Sequence, residues 1–336
     1  MEEMKKLSVI IPTRNRAQLL ERTLHSIERQ TMPKEEFEVI VVDNGSTDET
    51  PRVVSDYSNR MHIQSVYDPR PGLHVGRHQG LSLSHANELV FIDDDIEANP
   101  VWLETIWQVF QSNEKIAMVG GKNLPKYEST PPFWILELWN KRISLGHVIE
   151  DLSILDFGDF EREVSPYYIF GCNFGVRKKI ILDAEGFHPD GFPFDLLRFR
   201  GDGETHISDY VLKEGLMAYY HPGASVYHWV SAERMTEEYF CKRRYMQGVS
   251  AAFKELRSGN QRVLNQPAGR PTIKQYIKSL LGTTQIEMLN EILKNLRKTD
   301  FEKRLNNSYL NGKEYLIHYY NNDESMRKWV HQKNYF

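Results

Sequence analysis

Leu89-Val90-Phe91-Ile92-Asp93-Asp94-Asp95 is a short apolar run that stops in three consecutive carboxylates. An uninterrupted run of this length is the signature of a parallel strand buried on both faces. In open α/β sheets the carboxyl ends of the strands line the ligand crevice, so the three acids would stand where ligands bind. Adjacent carboxylates repel one another, and burial adds to the cost, so the triplet calls for a cation. All-oxygen ligands suit Mg2+ or Mn2+, which could in turn grip a diphosphate. Taken alone, the triplet also fits a solvated acidic turn before a helix; the surrounding chain has to decide.

Upstream, Leu7-Ser8-Val9-Ile10-Ile11 reads as a first strand, and Ala17, Leu20, Leu24 and Ile27 follow at helical spacing. The connecting loop, Pro12-Thr13-Arg14-Asn15, carries neither the GxGxxG turn of a dinucleotide fold nor the GxxxxGK(S/T) of a P-loop. Val39 to Val42 forms a second strand that delivers Asp43 at its end. Ser46 and Glu49 then have capping-box spacing, which predicts a helix starting there with Pro51 tolerated in its first turn. Ile63 to Tyr67 is a weaker strand, and Leu73 to His85 is a helix carrying Arg77. Beyond the acids, Asn99-Pro100 predicts a helix start with Leu103, Ile106, Trp107 and Phe110 as its buried stripe, and Ile116 to Val119 is a further strand. Strand and helix thus alternate at least four times, which calls for a mainly parallel sheet with right-handed crossovers. The loops after Ile11, Val42 and Ile92 then share one carboxyl edge.

From Pro125 to Tyr168 the regularity lapses into a stretch rich in aromatic residues, to which no chemistry is assigned. Gly171 to Arg177 reads as a strand with close backbone approaches, and a helix from Lys178 to Glu185 stops at Gly186. Arg200-Gly201-Asp202-Gly203-Glu204 leads into a helix ending at Gly215, and Val226-Tyr227-His228 belongs to a later strand. Past Arg243-Arg244-Tyr245 the chain turns helical and polar. Pro267 to Pro271 is a plausible linker, and Tyr276 to Leu293 carries amphipathic stripes.

Composition narrows the class. The 336 residues fit one large α/β domain with additions, or two domains. A net charge of −4 argues against nucleic acid as the main partner. The two cysteines, Cys172 and Cys241, have no paired spacing, which points to a reducing cytoplasm. No segment approaches the roughly 18 apolar residues of a membrane span, so membrane contact is expected to be peripheral, at the inner face, if it occurs.

In order and spacing, Leu7 to Asn15, Asp43 to Asp48, Gly76-Arg77-His78, Phe91 to Asp95, Gly171 to Phe174 and Gly203-Glu204 together resemble the family 2 glycosyltransferases. The resemblance covers roughly residues 5 to 250 and implies the A-type glycosyltransferase fold. It implies a Rossmann-like mixed sheet in a catalytic domain over residues 1–255, its nucleotide-binding half at about 1–122 and its acceptor half at about 165–255, with a C-terminal helical extension over 256–336. The implied activity is metal-dependent, inverting transfer from a UDP-sugar to a hydroxyl acceptor: a saccharide, a lipid-linked saccharide or a peptide. Pro12, Thr13, Arg14 and Asn15 would cradle the nucleotide, Asp43 would accept the uracil imide N–H, and Arg77 would support base or phosphates. Asp93 and Asp94 would face the ribose or sugar, and Asp95 with His228 would bind Mn2+ or Mg2+. Asn173 and Asp202 fall on the acceptor side, and Glu204 takes the position of the general base, where the family usually has Asp. Arg243-Arg244-Tyr245 replaces the tryptophan-containing motif of processive members, which disfavours long processive synthesis. Two rival readings are a sugar-phosphate nucleotidyltransferase, whose glycine-rich basic loop is missing after the first strand, and a catalytically idle nucleotide-binding module.

Overall fold

The structure, a computed structural model, describes residues 5–259 and 299–336. The linker expected at Pro267 to Pro271 and the stripes from Tyr276 to Leu293 lie outside the described residues. The described chain divides into two compact units. The first runs up to Asp195 and adds Asp202–Met235 and Lys333–Phe336; the second joins Leu196–Gly201 to Thr236–Gln332.

The first unit is built on an eight-stranded mixed sheet. Its strands β1 (Leu7–Thr13) and β2 (Phe37–Asp43) are buried at every position, as continuous apolar runs require when both faces are covered. β1 pairs in parallel with β2 and with β4 (Glu88–Phe91), and β2 pairs in parallel with β3 (Ile63–Tyr67). On the other side of β4, β11 (Phe174–Arg177) runs antiparallel, followed by β6 (Ile116–Gly120), β12 (Met217–Tyr220) and the edge strand β10 (Arg162–Val164). The sheet is therefore mainly parallel, with β11 and the edge strand β10 antiparallel to their neighbours, the mixed architecture that the family resemblance implies.

Helices α1 (Ala17–Glu28), α2 (Thr50–Ser58), α3 (Leu73–Leu83) and α4 (Trp102–Ser112) alternate with the first strands. α3 lies unusually close to the sheet, because a Cβ on Gly80 would come within 2.2 Å of Ile10 and one on Gly76 within 2.6 Å of Asn44. Two glycines four apart share one helix face, so this face seats α3 directly over β1 and the loop that follows β2.

Two helix starts differ from the sequence reading. Ser46 makes no cap: its hydroxyl accepts the Asn15 amide, and α2 begins after Glu49 without a side-chain cap. Asn99 closes a turn by accepting the Val101 amide, and the helix starts at Trp102 rather than at Pro100. Both polar residues found partners in neighbouring backbone, a competition that spacing alone does not reveal.

The stretch after Pro125, irregular to the eye, contributes to a second, five-stranded sheet of short strands. Its order is β5 (Ile96–Ala98), β13 (Val226–Val230), β7 (Asn123–Tyr127), β9 (Ile154–Asp156) and β8 (His147–Ile149). The amide of Ile92 still donates to Ile10, continuing the parallel ladder, while Ile96 already belongs to the second sheet. Asp93-Asp94-Asp95 is thus the joint between the two sheets. α5 (Phe133–Asn140), α6 (Lys178–Asp183) and α7 (Thr205–Lys213) complete this unit.

The second unit is helical. α8 (Glu237–Arg257) packs on α9 (Asp300–Asn322), which begins with a capping box from Thr299 and Glu302 and is followed by α10 (Glu324–Val330). α8 and α9 cross at two glycines: a Cβ on Gly248 would meet the Tyr309 carbonyl at 2.0 Å, and one on Gly312 the Tyr245 carbonyl at the same distance. Among the described residues no helix is long and apolar enough to cross a membrane.

Candidate active site

Three loops converge at the carboxyl edge of the sheet. The first is Pro12 to Arg16. Thr13 Oγ1 donates to Asp94 Oδ2 at 2.7 Å, and the Arg16 guanidinium donates to Asp94 Oδ1 at 2.5 Å and to Asp95 Oδ2 at 3.1 Å. Asn15 has a positive φ of 53°, which asparagine tolerates better than most residues, and its Oδ1 accepts the Thr47 amide. The first loop is thereby tied to the second. There Asp43 turns onto its own loop and accepts the Ser46 amide at 2.7 Å, while Asn44 donates its backbone amide to Thr13 and its side-chain amide to the Asp68 carbonyl. Pro12, Thr13, Arg14, Arg16, Asn44, Asp93 and Asp94 line a cleft of about 320 Å3, closed on the far side by Pro71, Gly72, Leu73, Gly191 and Pro193.

The third loop is the acidic joint itself. β13 pairs with β5 so that His228 stands opposite Ile96, and the Trp229 amide donates to the Asp95 carbonyl. That register brings His228 Nε2 to 3.3 Å from Asp95 Oδ1, and Arg234 Nη1 to 3.8 Å from Asp95 Oδ2. Asp93, Asp95 and His228 each offer a ligand atom within 4.8 Å of the others. Asp95 Oδ1 is buried and faces His228 Nε2 at 3.3 Å without a well-formed hydrogen bond. A buried carboxylate oxygen left in this state is costly unless something else satisfies it. Two carboxylates and an imidazole around such an oxygen fit a divalent cation.

The electrostatics agree. Burial, with Asp95 beside it, holds the Asp93 carboxyl above the usual carboxylate range. Burial also raises Asp94, against the pull of Arg16, and Asp95 adds to the rise. Burial would raise Asp95 too, but His228, Arg16 and Arg234 outweigh it and hold that carboxyl below its ordinary value. The joint therefore contains one firmly ionised acid flanked by two whose charge is costly.

Beside it lies a second charged feature. Arg77 Nη1 donates to Glu204 Oε2 at 3.0 Å, with Arg77 only 3% exposed and Glu204 28%. The pair exists because Gly171 has no side chain: a Cβ there would meet Arg77 Nη2 at 2.4 Å and Glu204 Oε1 at 2.9 Å. Gly203 adopts a φ of 57° against Asp190 and starts the turn that sets Glu204 at the head of α7. Burial lowers the Arg77 pKa, yet Glu204, Asp190 and Asp93 more than offset it and the guanidinium stays charged. Arg77 and Glu204 both act electrostatically on Asp93, so the two features form one field.

Two residues expected on the acceptor side are used inside the protein. Asn173 is 1% exposed; it accepts from Trp102 Nε1 and donates to Asn123 Oδ1 and the Ala224 carbonyl. Asp202 pairs at 2.5 Å with His188, whose ring stacks on His206. Conversely, Arg16, Asn44 and Arg234 belong to the site but were not singled out from sequence. Arg16 did leave a signal: it stands just before α1, where helix dipoles disfavour a cation, so its charge had to serve something else.

Comparison with known proteins matches residues 8–182 to the family model described as glycosyl transferase family 2. The chain belongs to that family. Among its relatives, a validoxylamine A glucosyltransferase of Streptomyces hygroscopicus subsp. jinggangensis is 44% identical over 102 residues, which cover 30% of this chain and 24% of the relative. The poly(ribitol-phosphate) beta-N-acetylglucosaminyltransferase TarP of Staphylococcus aureus is 31% identical over 132 residues, covering 37% of this chain and 40% of TarP. The chain thus matches well under half the length of either relative. A mannosyltransferase of Pyrobaculum calidifontis, solved with GDP-Man and Mn2+, superposes with a TM-score of 0.56 at 18% identity, covering 96% of this chain and 88% of that one. S. aureus TarS 1–349 with UDP-GlcNAc gives 0.51 at 17% identity, covering 98% and 93%. These two likenesses show the fold, that of the A-type glycosyltransferases.

Proposed function

We propose that the protein is an inverting glycosyltransferase that moves a sugar from a UDP-sugar to a hydroxyl acceptor with the help of Mn2+ or Mg2+. One observation carries the reading: the cleft lined by Pro12, Thr13, Arg14, Arg16, Asn44, Asp93 and Asp94 shares Asp93 with the Asp93, Asp95 and His228 group, and Asp93 lies in the field of the Arg77–Glu204 pair. Family membership supports the reaction class. The GDP-Man and Mn2+ bound by one protein of this fold and the UDP-GlcNAc bound by another support a nucleotide-sugar donor and a divalent cation.

In this reading Pro12, Thr13, Arg14 and Asn15 hold the nucleotide, and Asp43, its loop fixed by Ser46, accepts the imide N–H of uracil. Asp93 and Asp94 face the ribose and sugar. Asp95, Asp93 and His228 would hold the divalent cation, which supplies positive charge against that growing on the departing diphosphate. Glu204 takes the proton of the acceptor hydroxyl as its oxygen attacks the anomeric carbon from the side opposite the leaving UDP. The new glycosidic bond forms as the bond to the diphosphate breaks, with inversion and without a covalent intermediate. Arg77 fixes the Glu204 carboxylate in place through their ion pair, while Asn173 and Asp202 brace the acceptor side from within. Residues 1–255 are the catalytic part and 256–336 an extension.

The test is a panel of nucleotide sugars, with and without Mn2+, read first as thermal stabilisation and then as Mn2+-dependent release of UDP. Ligand stabilisation grows with affinity, so a UDP-sugar should raise the melting temperature only when the metal is present. No response to any UDP-sugar would sink the reading. Pyrophosphate released from UTP and a sugar phosphate would put a nucleotidyltransferase in its place.

A further inference from the structure

Arg16 sits badly for its helix and well for its neighbours. As the residue preceding α1, it faces the positive end of the helix dipole, where the Ala17 amide is already taken by the carboxylate of Asp48 at 3.0 Å, and Arg16 forms no ion pair with that acid. What holds its guanidinium is the acidic joint, through Asp94 Oδ1 and Asp95 Oδ2. The partners differ sharply in exposure: the Arg16 side chain is 43% exposed, those of Asp94 and Asp95 only 5% and 4%. A partly exposed cation therefore caps two buried anions beside the cleft that it also lines.

We propose that Arg16 is a resident counter-ion of the acidic joint, which a divalent cation replaces, and that the released guanidinium then takes the diphosphate of the donor. The inference deepens the function proposed above and rests on its metal site. Asp95 is claimed twice, by Arg16 through Oδ2 and by the Asp93, Asp95 and His228 group. Two cations competing for one carboxylate repel each other, and the one with a solvent route leaves at the lower cost. Asp94 is not stranded by the exchange, because Thr13 still donates to its Oδ2. A planar guanidinium freed over the cleft is well suited to paired phosphate oxygens.

The exchange predicts opposite changes in two affinities. Mn2+ binding in the absence of nucleotide, measured from the electron paramagnetic resonance signal of free Mn2+, should be about tenfold tighter in Arg16→Met, the worth of one charge-assisted contact. UDP binding at saturating Mn2+, measured by calorimetry, should be about tenfold weaker in the same variant. Arg16→Lys, which keeps the charge, should stay near wild type for Mn2+. A folding defect would weaken both affinities together, so the opposed signs are diagnostic. Mn2+ binding that is unchanged or weaker in Arg16→Met overturns the exchange and leaves the proposed function intact, as does unchanged UDP binding. Failure of the wild type to bind Mn2+ even with UDP overturns both.

Discussion

The two ends of the central sheet both bury carboxylates, and they treat them in opposite ways. At the amino end Glu38, 0% exposed, accepts from Ser8 Oγ at 2.5 Å, from the His85 amide at 2.7 Å and lies 2.9 Å from His85 Nδ1. Burial pushes its pKa up, but these partners prevail and hold it below the usual value. Glu88 nearby is paired with Arg177 at 2.7 Å, although burial still holds its carboxyl above the ordinary range, so the contrast rests on Glu38. At the carboxyl end three acids crowd together, one oxygen of Asp95 lacks a well-formed hydrogen bond, and Asp93 sits above the ordinary carboxylate range. A buried acid whose partners are complete stabilises the fold; acids crowded and incompletely satisfied keep capacity for something that is not part of the chain.

The sharpest way to break this comparison is to neutralise acids of the site and look for activity losses without loss of fold. Glu204→Gln should lower transfer by about 10²–10⁴-fold, the usual worth of a positioned base, while Mn2+-dependent UDP binding persists. Asp95→Ala should abolish both. Normal turnover by Glu204→Gln would remove it as the base.

At the other end the expected losses are of stability alone. Glu38→Ala strips Ser8, the His85 amide and the His85 ring of a shared buried acceptor, and should cost about 3 kcal/mol in a urea melt with UDP and Mn2+ binding intact. Loss of UDP binding in this folded variant would erase the distinction between the two ends.

A smaller effect of opposite sign belongs to the site. Asp93→Asn removes a charge that burial and Asp95 make costly, so the metal-free protein should melt at a higher temperature while its Mn2+ affinity falls. A destabilised Asp93→Asn protein would show that the joint is not under charge repulsion.

The smallest effect is the pH dependence of the amino end. The folded-state pKa of Glu38 lies below the ordinary 4.5, so the unfolded chain binds the extra proton first as pH falls. Its contribution is fully present above that value and is lost as pH drops through the folded-state pKa. The stability gap between wild type and Glu38→Gln should accordingly narrow below about pH 4.5 and stay constant above it. A gap independent of pH would mean that Glu38 is not held as the anion.

How much of this was legible in the chain follows the length of each element. β1, β2 and β4 announce themselves because their centres, Val9 to Ile11, Val39 to Val42 and Leu89 to Phe91, are the unbroken apolar runs of strands buried on both faces. β8, β9 and β10 have three residues each, too few to display any period, and α5 buries only Ile135. Much of the second sheet, and the edge strand β10 of the first, therefore stayed hidden in an aromatic-rich stretch. Ser46 and Asn99 misled for a related reason: each had the spacing of a helix start, and each was taken by a nearby amide.

The sequence by itself determined the strand-helix alternation and the acids at the strand ends, because local patterning fixes which segments are buried and where they stop. Only the tertiary structure decided how each charge is balanced. Arg16 caps Asp94, His228 reaches Asp95 through the register of β13, and Glu204 meets Arg77 across the space that Gly171 leaves. The reason is physical: whether a buried charge is satisfied depends on distances between residues far apart in the chain, and only packing sets those distances.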